Sequence, residues 1–331
     1  MIDAMPRLTR RSFLATSAGL ALGAAGGCRR PPYRQGEFPL HAESPVVALS
    51  APSYDADFAT LIGAGLRELQ IDVRGQTVLL KPNLVEYEPG TVINTHPNVV
   101  VGAAIALQRA GAREVIVGEG PGHRRDLEYL LSSTGMLQAL SGERVRFVDL
   151  NHDDVHQVAL RSWFTGLPEL ALPEAVLNAD LVVSMPKLKT HHWAGITCSM
   201  KNLFGVVPGA VYGWPKNLLH FRGIGESVLD LVATVRPGLA IVDGVVGMEG
   251  DGPIMGRPKS AGVVLMGRDV VAVDASAARV MGLRPEAVPY LVQASTYLGH
   301  IDPARIPMRG ERLERFVTPF DVLPAFAALR A

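Results

Sequence analysis

The chain has 331 residues, 48% of them hydrophobic, which is enough to bury the core of one large α/β domain or of two lobes. Lysine plus arginine and aspartate plus glutamate each number 32, so bulk electrostatics recruit neither nucleic acid nor an anionic membrane. Any recognition through charge must therefore be local.

The first 28 residues have the pattern of an export signal. Arg10 and Arg11 precede an uncharged apolar run from Phe13 to Gly27, and about fifteen residues are too few for a spanning helix of roughly twenty. We therefore predict export to the periplasm or cell envelope by the twin-arginine machinery. Cys28 follows an imperfect lipoprotein cleavage box, so it is either lipidated or left behind by a cut nearby. Membrane contact is expected only through the signal or this lipid.

Cysteine content limits the redox chemistry of the folded body. Beyond the signal, Cys198 is the only cysteine in the sequence. One thiol cannot form an internal disulfide, and an iron–sulfur cluster needs about four thiolates. The sequence therefore argues against an iron–sulfur cluster.

The remainder of the chain alternates β-rich runs with helical periodicity. Residues 29–44 are polar and proline-containing and predict a tether, and residues 45–325 predict one domain, optionally divided into lobes at about 45–180 and 181–325. The predicted strands are 46–50, 77–80, 114–117, 145–149, 181–184, 239–242 and 261–266, and the predicted helices are 57–69, 98–110, 126–139 and 275–281. This order predicts an α/β fold with a mostly parallel, Rossmann-like sheet and helices on both faces. Residues 210–225 are interpreted as an insert or lid beside the site.

Four predicted strands end in polar or glycine-rich segments: 81–83, 118–124, 186–191 and 243–244. The carboxyl ends of parallel strands lie at one edge of a sheet, so these segments should share one crevice. The candidate substrate- or cofactor-binding residues are Lys81, Asn83, His96, Gly120, Gly122, Arg124, Lys187, Lys189, Asn202, Asp243 and Glu249.

The glycine-rich turn at 118–124 has two interpretations. It matches neither the dinucleotide fingerprint nor the phosphate-binding P-loop, so it is either a tight turn or a set of backbone N–H donors for an anion. His123 and Arg124 stand at the start of a predicted helix, where cations oppose the helix dipole. An anion bound there would explain their position.

Residues 184–209 carry lysines and histidines between apolar side chains. A solvated basic loop rarely holds Trp193, Met200 and Phe204 among its charges. A lysine in apolar surroundings has a lowered pKa and can act as a nucleophile, and an imidazole can move protons near neutral pH. The candidate catalytic residues are Lys201, His191, His192 and His123. The rival interpretation of Lys201 is a loop anchor that is ion-paired to Asp243 or Glu249.

Metal ligation is less clearly indicated. No His, Asp and Glu spacing matches a zinc signature. Met248–Pro253 supplies two carboxylates, which can balance lysines, bind a cation or occupy a plain turn. If a metal is bound, His191 or His192 is the expected ligand.

Taken together, these signatures resemble the family called domain of unknown function 362, over about residues 45–283. The residues that carry the resemblance are Lys81-Pro82-Asn83-Leu84, Thr95-His96-Pro97, Gly118–Gly122, Pro186–His191, Lys201-Asn202 with Gly205, Asp243-Gly244 with Gly250 and Gly252-Pro253, and Asp274. The family has no settled activity. Some of its members add an iron–sulfur segment, and the cysteine count sets this chain apart from them.

A more distant resemblance concerns the nickel-pincer lactate racemases. Residues 191–201 with Pro208-Gly209, and the turn Gly122-His123-Arg124, are similar to their motifs. The resemblance implies that Lys201 tethers or contacts a nickel-pincer cofactor, with His191 or His192 and His123 near the reacting carbon. Thr197-Cys198-Ser199 departs from the glycines of that family.

The sequence thus predicts an exported enzyme that acts on a small anionic, carboxylate-like metabolite through a Lys/His cluster, with a cofactor or metal as an option. The alternative is a non-catalytic envelope protein that binds an anionic ligand.

Overall fold

One large mixed sheet organises the part of the chain that the structure describes. The structure is a computed structural model and describes residues 31–123, 126–143 and 145–331. The twin-arginine pair, Cys28 and Arg124 lie outside these ranges. Residues 32–331 form one compact unit.

Ten of the strands in the described residues belong to this sheet. In chain order the strands are β1 (Val46–Ser50), β2 (Thr77–Pro82), β3 (Glu114–Glu119), β4 (Arg146–Asp149), β5 (Val155–Ala159), β6 (Glu169–Pro173), β7 (Leu181–Met185), β8 (Lys187–His191), β9 (Gly195–Thr197), β10 (Leu239–Glu249), β11 (Arg257–Gly267) and β12 (Met308–Gly310). Their spatial order is β12-β1-β11-β10-β7-β2-β3-β4. β8 pairs with β10 and β9, and β5 and β6 form a separate hairpin.

Most strand pairs run parallel, as predicted. β10, β7, β2, β3 and β4 are parallel neighbours, whereas β11 is antiparallel to both β10 and β1. The carboxyl ends of the parallel strands therefore meet at one edge of the sheet.

Helices cover both faces of the sheet. They are α1 (Phe58–Glu68), α2 (Pro97–Arg109), α3 (Leu127–Ser133), α4 (Met136–Gly142), α5 (Glu174–Leu177), α6 (Ser199–Asn202), α7 (Gly209–Tyr212), α8 (Asn217–Phe221), α9 (Ile224–Val235), α10 (Val270–Val280) and α11 (Pro289–Ala294). One buried cluster packs α1 to α4 on one face, and a second packs α9, α10 and α11 on the other. No helix among the described residues is long and apolar enough to cross a membrane.

Local sequence accounts for the helix positions. Asp57 caps α1 by accepting the N–H of Thr60, and the apolar residues Phe58, Ile62 and Leu66 recur at helical spacing on its buried face. His96 caps α2 through its own ring, and Pro97 occupies the first helical position.

The structure corrects three sequence predictions. The helix predicted at 126–139 is divided into α3 and α4, because Gly135 has a φ of 75°. Asp243 does not end its strand: β10 continues to Glu249, since β11 supplies antiparallel hydrogen bonds along it. Residues 187–191, predicted as a polar segment after a strand, form β8, which pairs with β9.

The described residues of the predicted tether lie against the domain. Tyr33 stacks on Tyr297 with ring centroids 4.0 Å apart, and Phe38 meets the same ring edge-on. The N–H of Trp163 donates to the carbonyl of Pro32 at 2.8 Å.

Candidate functional site

The carboxyl ends of β2 and β3, the β8–β9 hairpin and α6 surround a cavity of about 420 Å³. Many of the residues predicted at the strand ends lie around this cavity. The predicted residues that line it are Lys81, Asn83, Gly120, Gly122, His123, Lys189, His191, His192, Lys201 and Asn202.

Lys81 and Glu119 form a buried ion pair at the floor of the cavity. The ammonium of Lys81 lies 2.5 Å from Glu119 Oε2 and also donates to the carbonyl of Pro82 and to Asn202 Oδ1. Burial lowers the pKa of Lys81, and the Glu119 carboxylate opposes that change. All three ammonium hydrogens are used, so this lysine is a structural anchor.

Gly205 makes this arrangement sterically possible. A Cβ at position 205 would lie 1.9 Å from Glu119 Oε1 and 2.4 Å from Lys81 Nζ. The carbonyl of Gly205 accepts the N–H of Gly120 at 3.1 Å. Gly120 therefore uses its N–H inside the protein, and this residue of the turn does not offer it to an anion.

Two further lysines in the cavity wall are bonded to carbonyl groups. Lys189 donates to the carbonyls of Ile93 and Pro253, and burial together with the nearby lysines holds its pKa well below the usual range. Lys216 donates to the carbonyls of Gly120 and Val207, and burial lowers its pKa to about 7. Both ammonium groups hold neighbouring backbone segments together.

Lys201 differs from these lysines because its ammonium has no hydrogen bond or ion pair to any described residue. It lies on α6, whose first N–H groups, from Ser199 and Met200, donate to the buried carboxylate of Asp274 at 2.7 and 3.0 Å. Its Nζ stands 4.1 Å from the ring centroid of Phe204. Burial, and secondarily the charge of Lys81, lowers the pKa of Lys201 to about 8.

The two carboxylates that the rival interpretation pairs with Lys201 have other partners. Asp243 pairs with Lys187 instead, and Glu249 pairs with Arg257 and Lys259. Neither carboxylate is the anchor of Lys201 in the described structure.

His191 is fixed in one tautomer. Its Nδ1 accepts the N–H groups of Trp193 and Ala194 at 3.0 and 3.2 Å, so in the neutral ring the proton is on Nε2. Burial, followed by the charge of Lys201, lowers the pKa of His191. The imidazole therefore stays neutral and offers an Nε2–H donor.

His192 and His220 have the opposite tautomer. Nδ1 of His192 donates to Asp251 at 3.2 Å, and Nδ1 of His220 donates to the carbonyl of Lys216 at 3.2 Å. In its neutral form each ring thus keeps an Nε2 lone pair. Burial, followed by the charge of Lys201, lowers the pKa of His220, so it is in its basic form at neutral pH.

Two polar atoms of the cavity wall lack a partner. Asn83 Oδ1 and Thr197 Oγ1 are among the few buried side-chain atoms in the described residues without a hydrogen bond. Buried polar groups are nearly always hydrogen-bonded, and an unpaired one costs about 1–3 kcal/mol. These two atoms indicate that the cavity is built to receive a ligand.

Four predicted binding residues lie outside the cavity lining. Lys187 and Asp243 form a buried ion pair at 2.6 Å, and Tyr54 hydrogen-bonds to both side chains. His96 stacks on Tyr54 and caps α2. Glu249 accepts the N–H of Asp321 in addition to its two ion pairs. Lys187, Asp243 and Glu249 are thus held by partners far along the chain, whereas the His96 ring accepts the nearby N–H of Asn98.

The donor set of the described residues does not match a metal site built from protein side chains alone. A metal needs an imidazole lone pair, and His191 offers none that is free, since that of Nδ1 accepts two N–H groups and Nε2 carries the proton. His192 and His220 keep a free Nε2, yet no group of three His, Cys, Asp or Glu side chains converges within the described residues. These residues therefore do not fit a nickel ion that protein side chains hold in place.

Sequence reasoning left several lining residues out of the predicted site. They are Glu119, Thr197, Phe204, Lys216 and His220. Glu119 could have been found, because a carboxylate at the end of a buried strand needs a cation nearby. Lys216 and His220 belong to the segment that was interpreted as an insert or lid beside the site, and both residues line the cavity.

The family assignment rests on a match along most of the core. The model of the family described as domain of unknown function (DUF362) matches residues 78–279. The chain belongs to the DUF362 family. This DUF362 domain holds the cavity residues named above, from Lys81 to Met255.

Known proteins resemble the DUF362 chain to different degrees. A thylakoid-associated protein from Synechocystis is 32% identical over 223 residues, which span 65% of this chain and 66% of that protein. The apoprotein of a lactate racemase from Thermoanaerobacterium thermosaccharolyticum has a TM-score of 0.39 at 14% identity, and a protein from Thermotoga maritima has 0.38 at 12%. These superpositions cover 65% and 69% of this chain, and 54% and 59% of the two structures.

Proposed function

We propose that this DUF362 protein is an exported enzyme that binds a small carboxylate-bearing metabolite in the cavity and transfers a proton to or from it. The observation that carries the proposal is Lys201, a buried ammonium without a partner among the described residues. An unpaired buried cation is costly, and a ligand carboxylate would supply the missing charge.

The remaining polar groups suit the same ligand. The Nε2–H of His191 and the hydroxyl of Thr197 are donors, and both residues line the cavity with Lys201. Asn83 Oδ1 can accept one hydrogen bond from a second polar group of the ligand. A carboxylate needs several donors, and these residues provide them.

The two histidine tautomers suit two different roles, a hydrogen-bond donor and a proton acceptor. A neutral His191 would polarise a ligand oxygen through its Nε2–H, because a donor aimed at developing negative charge stabilises it. His220, with its free Nε2 and lowered pKa, would accept the proton. His123 and His192 also line the cavity and are further candidates for moving a proton.

A second candidate is binding without turnover. It is favoured by the lysines themselves, since Lys81, Lys189 and Lys216 are all used to hold the protein together. In that case Lys201 would capture the carboxylate and the histidines would only contribute hydrogen bonds.

One experiment separates the two candidates. Carboxylates that raise the melting temperature are incubated with the protein in D₂O, and exchange at the carbon next to the carboxylate is followed by NMR. We expect exchange in wild type and none in His220→Gln. Binding without exchange would support the second candidate. If no carboxylate stabilises the protein, the proposal as a whole is wrong.

The cellular location is proposed from the N-terminus. Export by the twin-arginine route is supported by Arg10 and Arg11 before the apolar run, and the Synechocystis relative is named as thylakoid-associated. Replacing both arginines with lysine should leave precursor in the cytoplasm, and unchanged export would contradict the route. Lipid labelling that disappears in Cys28→Ser would establish the anchor, and an unlabelled wild type would dispose of it.

A further inference from the structure

The cavity has an apolar wall in addition to its polar groups. Leu84 and Val85 after β2, Phe204 after α6, and Ile254 and Met255 before β11 all line it. Pro215 and Pro253 extend the same surface. A wall of this kind gains free energy by covering hydrocarbon and none by covering a second charge.

The lining residues differ in depth. Lys201 is 9% exposed, and His191 and Thr197 are also buried. Trp193 and Met255 also line the cavity but are 62% and 77% exposed, so they lie at its mouth. Apolar side chains therefore line the cavity both at depth, where Leu84 and Phe204 are buried, and at the mouth, where His192 and Asp251 add polar groups.

The number of lysines at depth that lack a protein acceptor is small. Lys81 is neutralised by Glu119, and Lys189 and Lys216 donate to carbonyl oxygens. In the described part of the lining, Lys201 is the one ammonium without a protein acceptor. One cation matches one carboxylate.

We infer that the ligand is a monocarboxylate with an apolar body, a ring or a hydrocarbon chain, whose carboxylate lies against Lys201 and whose body extends along the wall to Trp193 and Met255. This inference rests on the proposed function and defines its substrate class. It excludes dicarboxylates and sugar phosphates as preferred ligands, because their second polar end would meet hydrocarbon.

The test compares three probes by calorimetry on the full chain: 3-phenylpropionate, propionate and succinate. We expect 3-phenylpropionate to bind at least about tenfold more tightly than propionate, because its ring removes further apolar surface from water. Succinate should bind more weakly than 3-phenylpropionate, since its second carboxylate would lose hydration without a cation to replace it.

Two surface variants locate the apolar body. Met255→Ser should reduce the preference for 3-phenylpropionate over propionate by about threefold or more, because one exposed part of the wall is lost. Phe221→Ser is the matched control: Phe221 is 86% exposed and absent from the lining, so the preference should stay unchanged. Both positions are exposed, so neither variant should endanger folding.

The outcomes separate this inference from the proposed function. Equal affinities for 3-phenylpropionate and propionate, both lost in Lys201→Met, would overturn the apolar body and leave carboxylate binding intact. An unchanged preference in Met255→Ser would overturn the assignment of the wall. Binding of 3-phenylpropionate that survives Lys201→Met, or no binding of any probe, would overturn both.

Discussion

Lys187 and Lys201 are both buried lysines of one segment, and the protein uses them in opposite ways. Lys187 lies on β8 and is paired with Asp243 and Tyr54, whereas Lys201 lies on α6 and has no partner among the described residues. Burial lowers the pKa of both. A lowered pKa therefore does not identify a functional lysine here. The proposed role of Lys201 in binding rests instead on its unused hydrogen-bonding capacity.

The largest effect on stability should come from breaking the ion pair between Lys187 and Asp243. Asp243→Ala leaves the Lys187 ammonium buried without its carboxylate, while Tyr54 keeps the carbonyl of Val246 as an acceptor, and we expect the free energy of unfolding to fall by about 3–5 kcal/mol. Urea denaturation measures it. Asp321→Ala removes a half-exposed carboxylate that pairs with Arg257 and Arg330, and it should cost less than about 1 kcal/mol. If the two variants lost similar amounts of unfolding free energy, the buried pair would be no more important for stability than the exposed one.

Lys201→Met should show the reverse pattern. The side chain has no ion pair to lose in the described structure, so stability should be unchanged or higher. Affinity for 3-phenylpropionate should fall roughly ten- to hundredfold, the value of a hydrogen bond to a charged group. Calorimetry and melting temperature are measured on the same variant. A destabilised protein that binds normally would make Lys201 a structural residue.

The pH dependence of binding sharpens the comparison. Burial lowers the pKa of Lys201 from 10.5 to about 8, so the folded state is destabilised when the side chain is charged. This loss of stability is fully present below pH 8 and disappears as the pH rises toward 10.5. Carboxylate binding needs the charged form, so affinity should fall about tenfold for each pH unit above 8. The decline above pH 8 should be absent in Lys201→Met. Lys216, with a pKa of about 7, would add an earlier change that both proteins share.

The smallest effect is expected at Lys259. It pairs with Glu249 at 3.5 Å, and its side chain is partly exposed and outside the cavity. Lys259→Met should change the free energy of unfolding by less than about 1 kcal/mol and leave 3-phenylpropionate binding unaltered. Weaker binding in a calorimetric titration would mean that a charge outside the cavity contributes to the affinity for 3-phenylpropionate.

The sequence predicted which segments meet, but it did not predict which lysines lack a hydrogen-bond or ion-pair partner. Parallel strand order places Lys81, Lys189 and Lys201 at one edge, and alternating β and α segments reveal that order. The partner of each lysine depends on contacts across the fold, such as Glu119 for Lys81 or the carbonyl of Ile93 for Lys189. The continuation of β10 past Asp243 was likewise missed, because it depends on pairing with β11. Local patterns do not encode such contacts.

The close approach at Gly205 links three positions in their tolerance of mutation. Its missing side chain leaves space that the Lys81–Glu119 pair fills. Alanine at position 205 should therefore be rejected in the wild-type background, yet accepted where both members of the pair are replaced by smaller neutral residues. Substitutions at positions 81, 119 and 205 should then change together among related sequences. A related protein that acquires a substitution at one of the three positions would need compensating substitutions at the other two to recover its stability.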